Sequence, residues 1–303
     1  MYAQNHLYGH LAILAGYCGV PAAGHLLGYL QHGWTPSRGI NQCRTPRVPA
    51  FVWSERNAQH PQWTEEHRPV HAIGAPFLYL DAMMAYSADG ERELPSPRPT
   101  CPYPSKTVAF PFHGIPRRGV VGSHGEYAEH LAEVEGPGVR VYLHLKEFRQ
   151  ERTRLEYERF GHSVHCNFRT DIPHSAHDPL LLLRQRELLL RTSRVVSNRF
   201  MTAIAYAAYL GCQIAIYGPF HTLSGSSPQS NLSIQSIEWP VVPESGLSAA
   251  ESVAIGRREL GHEYMKSPNQ LRSLLGWNKR KSVTLAGYLH KLHELRTDFR
   301  RDR

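Results

Sequence analysis

The chain has 303 residues, of which 41% are hydrophobic and 20% are charged. These proportions are typical of a globular protein and exclude a disordered tail. The formal net charge of +8 favours anionic partners, such as nucleotide phosphates, nucleic acid or a membrane surface, without choosing among them. Its five cysteines are scattered and never form a Cys-x-x-Cys pair, which argues against a disulfide scaffold or a zinc ribbon. Because there is neither a signal-peptide pattern nor a run of about 20 apolar residues, we expect a soluble, cytoplasmic protein.

Residues 1–87 alternate between helix and strand patterns in an irregular way. The stretch 5–18 predicts a helix that Gly19 and Pro21 end. Short strands are predicted at 25–30, at 50–53 and around 72–76. We therefore expect a first domain of the α/β class.

Residues 88–105 have no periodicity, and proline recurs at positions 95, 97, 99, 102 and 104. This composition is typical of a linker, and it predicts the domain boundary.

Strand and helix patterns alternate regularly in residues 106–278. The predicted strands are 106–112, 139–145, 163–168, 194–196 and 213–217. A capping box at Ser123 and Glu126 opens the first helix, and Ser197 with Asn198 is expected to cap the fourth. Such alternation is typical of a doubly wound, Rossmann-like parallel sheet. The Lys/Arg-rich tail at 279–303 predicts a basic amphipathic helix.

Ligands of a doubly wound sheet bind outside the carboxyl ends of its strands. One segment at this edge is the turn that contains Ser197, Asn198 and Thr202, before an alanine-rich helix. The N-terminus of a helix attracts phosphate, and short polar side chains add hydrogen bonds. An ordinary helix cap explains the same residue types equally well.

A second segment is the loop after the first strand of this domain, with His113, Gly114, Arg117 and Arg118. Glycine permits close approach of the backbone, and the arginine pair could hold a pyrophosphate through paired hydrogen bonds. The alternative is a solvated basic loop.

A third segment, with Arg169 and Asp171, follows the third strand of the same domain. The pair would either touch a ligand or tie the loop together, and the structural role is favoured.

In the first domain, His32 follows an apolar strand within the tetrapeptide Gln-His-Gly-Trp. A histidine with a near-neutral pKa could accept a proton from an acceptor hydroxyl, although such a histidine is more often structural. Histidine pairs such as His6 and His10 lack a third ligand. There is neither a G-x-G-x-x-G fingerprint nor a P-loop. We expect no metal and no cofactor.

The segment 195–211, VVSNRFMTAIAYAAYLG, is similar to the donor-side segment of GT-B glycosyltransferases. The QHGW segment looks like the strand-end His-Gly of capsule and teichoic-acid polymerases. The loop at Phe112, His113 and Gly114 faintly resembles the His-Pro element of bacterial sialyltransferases, with Gly114 in place of the proline. The order of an irregular α/β domain, a linker and a doubly wound domain also resembles the GT-B architecture.

This resemblance implies an acceptor-side domain at 1–87 and a nucleotide-sugar-binding domain at 106–278. It implies metal-independent, inverting transfer of a sugar from a nucleotide-activated donor to a glycan or lipid-linked acceptor, in surface polysaccharide or glycoconjugate biosynthesis. His32 would be the base, and the candidate residues of the second domain would hold the donor.

Three alternatives stay open. One is a nucleotide-sugar epimerase of the same fold, which needs several carboxylates. Another is a non-catalytic protein that binds nucleic acid or a membrane, although dispersed Lys and Arg argue against nucleic acid. The tail at 279–303 would support peripheral contact with the inner membrane surface. The third is an inactive partner subunit.

Overall fold

The computed structural model describes residues 3–20, 26–35, 48–84, 107–115, 118–171, 175–225, 240 and 242–278. The chain divides into two compact units. The first comprises Met1–His32, Arg38–Ser96 and Gly261–Arg303, and the second comprises Gly33–Ser37 and Pro97–Leu260. The predicted linker at 88–105 and the predicted tail helix at 279–303 lie outside the described residues.

The first unit contains a three-stranded parallel sheet of order β1-β2-β3. Its strands are β1 Tyr29–Leu30, β2 Ala50–Val52 and β3 Val70–Ala72. Its helices are α1 His10–Tyr17, α2 Glu55–Ala58, α3 Pro61–Glu65 and α4 Pro76–Met84, and a 3-10 segment, Ala3–Gly9, precedes α1. The large side chains Phe51, Trp53, Phe77 and Tyr79 are almost completely buried and form much of this core.

The predicted helix at 5–18 is divided at Tyr8, where the backbone turns out of the helical conformation before α1 begins at His10. The strand predicted around 72–76 lies earlier, at Val70–Ala72. Gly74 explains the shift, because its positive φ of 74° ends the strand before helix α4.

The second unit contains a five-stranded, entirely parallel sheet of order β7-β6-β4-β8-β9. The strands of the unit are β4 Thr107–Ala109, β5 Val120–Val121, β6 Arg140–Tyr142, β7 Ser163–His165, β8 Arg194–Ser197, β9 Gln213–Ile216 and β10 Thr222–Leu223. From β4 the chain adds β6 and then β7 on one side of the sheet. It then returns and adds β8 and β9 on the other side of β4. Since parallel crossovers are right-handed, this reversal places helices on both faces. The expected α/β class, with a doubly wound sheet in the second unit, is confirmed.

The helices of the second unit are α5 His124–Glu135, α6 Leu145–Phe148, α7 Glu151–Glu158, α8 Leu181–Leu190, α9 Thr202–Tyr209 and α10 Ala249–Leu260. Alternating apolar residues of the strands, such as Val141 and Val196, pack with Tyr127 and Leu131 of α5. Full burial of each such side chain stabilises the fold by roughly 1.5–3 kcal/mol. The helices α9 and α10 pack so closely that a Cβ atom at Gly256 would lie 2.2 Å from the backbone nitrogen of Tyr209.

After α10 the chain returns to the first unit at Gly261. This glycine has φ of +67°, and a Cβ atom there would lie 1.8 Å from the carbonyl oxygen of Trp53. Only glycine fits so close a contact in that backbone conformation. A 3-10 turn, His262–Tyr264, and the helix α11 Pro268–Leu274 follow, and a Ser267–Gln270 capping box opens α11.

Candidate functional site

The carboxyl edge of the second unit's sheet is tied together by the side chain of Asn198, directly after β8. Its Oδ1 accepts the N–H of Phe112, after β4, at 2.9 Å, and its Nδ2 donates to the carbonyl of Pro219, after β9, at 3.0 Å. The side chain is buried, with 2% exposure. Asn198 therefore fixes the loops on both sides of the switch point between β4 and β8.

Ser197 and Thr202 also make contacts within this unit. The Ser197 hydroxyl is fully buried and accepts the N–H of Arg199 at 3.2 Å. The Thr202 hydroxyl accepts the N–H of Trp34 at 2.7 Å. The predicted cap at Ser197 and Asn198 is wrong: Ser197 ends the strand, and α9 begins at Thr202 after Met201.

Trp34 fastens the short segment 33–35 within the second unit. Its indole ring lies 4.7 Å from the ring of Phe200, and its Nε1 donates to the buried carboxylate of Glu259 at 2.7 Å. Arg258 pairs with the other oxygen of that carboxylate at 2.9 Å. The N-terminus of α9 is therefore the place where this segment is anchored.

Arg199 is a cation at this edge that the sequence patterns did not indicate. Its guanidinium lies between the rings of Phe112 and Phe220, at 4.3 and 4.5 Å, and donates to the carbonyl of His221 at 2.9 Å. Burial lowers its pKa to about 10, so the group stays charged at neutral pH. It follows Asn198 directly, but aromatic partners far away in the chain give it its position.

The loop after β4 is held by a carboxylate. The Gly114 N–H donates to Oε1 of Glu147 at 2.8 Å, and a Cβ atom at Gly114 would lie 2.8 Å from the carbonyl oxygen of Arg118. Ile115 and Arg118 exchange backbone hydrogen bonds of 3.0 Å, and Nε of Arg118 donates to the carbonyl of Ser224 at 2.7 Å. Arg117 lies outside the described residues.

A row of rings follows the ends of β4, β6 and β7. His113 stacks on His144 with centroids 4.4 Å apart, and His144 meets Phe168 edge-on at 4.7 Å. Burial, with smaller contributions from His113 and Lys146, lowers the pKa of His144 to about 3. Nδ1 of His144 lies 3.7 Å from Oε2 of Glu147, a carboxylate with only 3% exposure that sequence patterns did not indicate.

Arg169 and Asp171 lie on the exposed loop after β7 and form an ion pair with each other. The hydrogen bond from Arg169 lowers the pKa of Asp171. The pair ties the loop locally, and whether it also touches a ligand stays a prediction.

In the first unit, His32 follows β1, and the residue before it is held firmly. Gln31 donates its N–H to the carbonyl of Phe51 at 2.9 Å. The Gln31 side chain accepts the N–H of Trp53 at 2.8 Å, and its carbonyl accepts the indole N–H at 3.1 Å. Burial lowers the pKa of His32 from its ordinary value, so the imidazole is neutral at pH 7. Its Nδ1 is buried and has no hydrogen-bond partner among the described residues.

The structure thus brings His113, Gly114, Arg118, Ser197 and Asn198 to one edge of the second unit's sheet, whereas His32 belongs to the first unit. Within the described ranges, no group of three His, Cys, Asp or Glu side chains is arranged to hold a metal ion. Nor is any described helix long and apolar enough to cross a membrane.

Neither a protein-family model nor a curated protein matches the chain. Solved structures with partial similarity include a UDP-glucosyltransferase from Polygonum tinctorium capable of glucosylating indoxyl, with 15% identity and a TM-score of 0.27 over 81% of this chain and 54% of that chain. Os79 from O. sativa in complex with UDP gives 14% identity and a TM-score of 0.33 over 81% and 54%. A UDP-glucose:anthocyanidin 3-O-glucosyltransferase in complex with UDP gives 14% and 0.29 over 82% and 53%. The chain spans about half the length of these proteins. Likeness at these TM-scores assigns neither a ligand nor an activity to this chain.

Proposed function

We propose that the chain is a glycosyltransferase of GT-B-like architecture. It would transfer a sugar from a nucleotide-activated donor to a hydroxyl of a glycan or lipid-linked acceptor, without a metal. The observation on which this depends is the switch point of the doubly wound sheet, the usual place for a ligand in such a fold. The cations Arg118 and Arg199 lie at this edge, and so do the stacked rings of His113 and His144, whose type suits a nucleotide base.

The proposed chemistry is a single displacement. His32, neutral at pH 7, takes the proton of the acceptor hydroxyl, whose oxygen then attacks the anomeric carbon of the donor. The new C–O bond forms as the bond to the phosphate breaks, and the nucleoside diphosphate leaves with its electron pair. Cations at the edge of the second unit stabilise the charge that develops on the leaving group. One displacement inverts the anomeric configuration.

The finer proposal is a role in surface polysaccharide or glycoconjugate biosynthesis, of the capsule-polymerase type. It depends on the QHGW segment that contains His32. A lipid-linked acceptor would be met at an anionic membrane, toward which the basic tail at 279–303 would steer the protein. Equal sedimentation with anionic liposomes of the full chain and of a chain ending at residue 278 would remove the tail from this proposal.

The first test is nucleotide binding. UDP, GDP, CDP, dTDP and CMP at millimolar concentration are compared for their effect on the melting temperature, and one base should stabilise the protein selectively. The double variant Arg117→Ala/Arg118→Ala should lose this effect. Arg152→Ala, which removes an exposed arginine of α7, should keep it. Stabilisation by RNA or liposomes but by no nucleotide would contradict the proposal.

The second test addresses the base. With the nucleotide identified, its sugar derivatives are assayed for transfer to hydroxyl acceptors. His32→Ala should lower kcat by roughly 10²–10⁴-fold while the nucleotide still stabilises the protein. His6→Ala is the matched control, and an equal loss in both variants would sink the assignment of the base.

A further inference from the structure

The backbone of Tyr8 has an uncommon conformation beside His32. Its φ and ψ are 58° and 17°, in the left-handed region, and Leu7 before it is extended, with φ −55° and ψ 135°. Gly9 is also left-handed, with φ 75°. A left-handed conformation is inexpensive for glycine and unfavourable for an aromatic residue. Such residues persist where the surrounding structure enforces them, and they concentrate at functional sites.

Both flanks of Tyr8 are fixed. On one side, the Asn5 side chain donates to the carbonyl of Gly28 at 2.9 Å and accepts the N–H of Leu30 at 2.9 Å, which fastens the segment to β1. On the other side, α1 begins at His10, whose side chain is fully buried. The kink therefore delivers the Tyr8 ring to a defined place near the end of β1.

That place is a cluster of rings around His32. The Tyr8 ring centroid lies 6.5 Å from that of His32, at an interplanar angle of 40°, and 5.7 Å from that of His10. The His10 ring in turn lies 6.5 Å from that of Trp53, and Trp53 holds Gln31 through two hydrogen bonds.

An imidazole that acts as a base usually has its second nitrogen hydrogen-bonded to an orienting group. The buried Nδ1 of His32 has no such partner among the described residues. Nothing among the described residues therefore orients the ring through Nδ1, and the Tyr8 ring is its aromatic neighbour, with centroids 6.5 Å apart.

We propose that Tyr8 is a positioning residue whose ring, delivered by the left-handed kink, holds the imidazole of His32 in one orientation. This inference rests on the role proposed above for His32. It adds that the Tyr8 ring does what a hydrogen-bond partner at the second nitrogen of a catalytic histidine usually does.

The test follows the imidazole directly, without reference to transfer. Protein labelled with ¹⁵N-histidine is titrated by NMR, and His32→Gln identifies the His32 signal. In wild type and in Tyr8→Phe, His32 should show one tautomer and a pKa below about 6.5. In Tyr8→Gly and Tyr8→Asn, the signal should move toward an average of two tautomers and its pKa should rise. His71, whose ring stacks on Phe51 instead, is an internal control and should not move.

Gly and Asn both tolerate the left-handed conformation, so these variants are expected to keep the fold. If neither changes the tautomer or the titration of His32, or if Tyr8→Phe changes them as much as Tyr8→Gly, the proposal is overturned. With a transfer assay in hand, Tyr8→Gly should lower kcat roughly 10- to 100-fold with KM unchanged, and Tyr8→Phe should restore it. If the His32 ring loses its single tautomer in Tyr8→Gly while His32→Ala keeps full activity, then Tyr8 does orient His32, but His32 is not the base.

Discussion

Asn198 in the second unit and His32 in the first each follow a parallel strand, and they are held in different ways. The Asn198 amide accepts from Phe112 and donates to Pro219, so both of its polar atoms are used within the fold. The His32 ring centroid lies 6.5 Å from that of Tyr8, and the buried Nδ1 of His32 has no hydrogen-bond partner among the described residues. The Asn198 side chain therefore has a structural role, whereas one ring nitrogen of His32 is left without a partner by the described residues. Substitutions at such positions should show this difference in the stability of the protein.

The largest effect is expected for Asn198→Ala. The partly buried N–H of Phe112 and carbonyl of Pro219 would both lose their partner, which costs at most about 1–3 kcal/mol of unfolding free energy for each group. Urea unfolding measures the total, and hydrogen exchange at the Phe112 amide should accelerate. Asn167→Ala, in the loop after β7, should change stability by less than about 0.5 kcal/mol. Equal stability of Asn198→Ala and wild type would show that the amide does not tie the strand ends.

A smaller effect, dependent on pH, is expected in the first unit from His10. Burial, with a smaller contribution from repulsion by His32 when that ring is protonated, lowers the pKa of His10 in the folded state to about 3, against about 6.5 in the unfolded chain. The unfolded chain therefore binds a proton that the folded chain does not. The contribution of His10 to the free energy of unfolding is complete above about pH 6.5. Below that pH it falls by about 1.4 kcal/mol per pH unit, down to the pKa of His10 in the folded protein.

The variant His10→Phe removes this contribution. Its unfolding free energy, measured in urea at pH 6.5, 5.5 and 4.5, should fall less steeply than that of wild type by about 1.4 kcal/mol per pH unit. The buried histidines His124 and His144 of the second unit also have lowered pKa values, about 4 and about 3. Their contributions to the pH dependence of stability are the same in variant and wild type and cancel in the comparison. Parallel pH dependences of variant and wild type would mean that His10 is not buried as a neutral group.

The sheet of the second unit could be predicted because its cause is local. Short apolar strands alternate with helices that begin at residues such as Ser123 and end at glycines such as Gly136, and this pattern alone indicates a doubly wound sheet. The first unit was predicted less well: the predicted helix at 5–18 is divided at Tyr8, and the strand predicted around 72–76 lies at Val70–Ala72.

The roles of individual side chains could not be predicted in the same way. Ser and Asn favour helix caps, yet the Asn198 side chain accepts a hydrogen bond from the N–H of Phe112, 86 residues away in the sequence. Glu147 and Arg199 have the residue types of an ordinary charged surface, and only the folded chain buries them. Nothing in the sequence marks Tyr8 as left-handed, because tyrosine rarely adopts that conformation.

The smallest effect is expected for Thr202→Val, which tests whether the Thr202 hydroxyl at the N-terminus of α9 has a structural role, as the Asn198 amide does. The variant keeps the shape of the side chain and removes the acceptor of the Trp34 N–H, which lies 2.7 Å from the hydroxyl oxygen. The expected loss is about 1 kcal/mol, since one partly buried N–H must find water instead. Thr202→Ser should retain the bond and the stability. Faster hydrogen exchange at the Trp34 amide would locate the effect. Unchanged exchange and stability in Thr202→Val would mean that the hydroxyl does not anchor this segment.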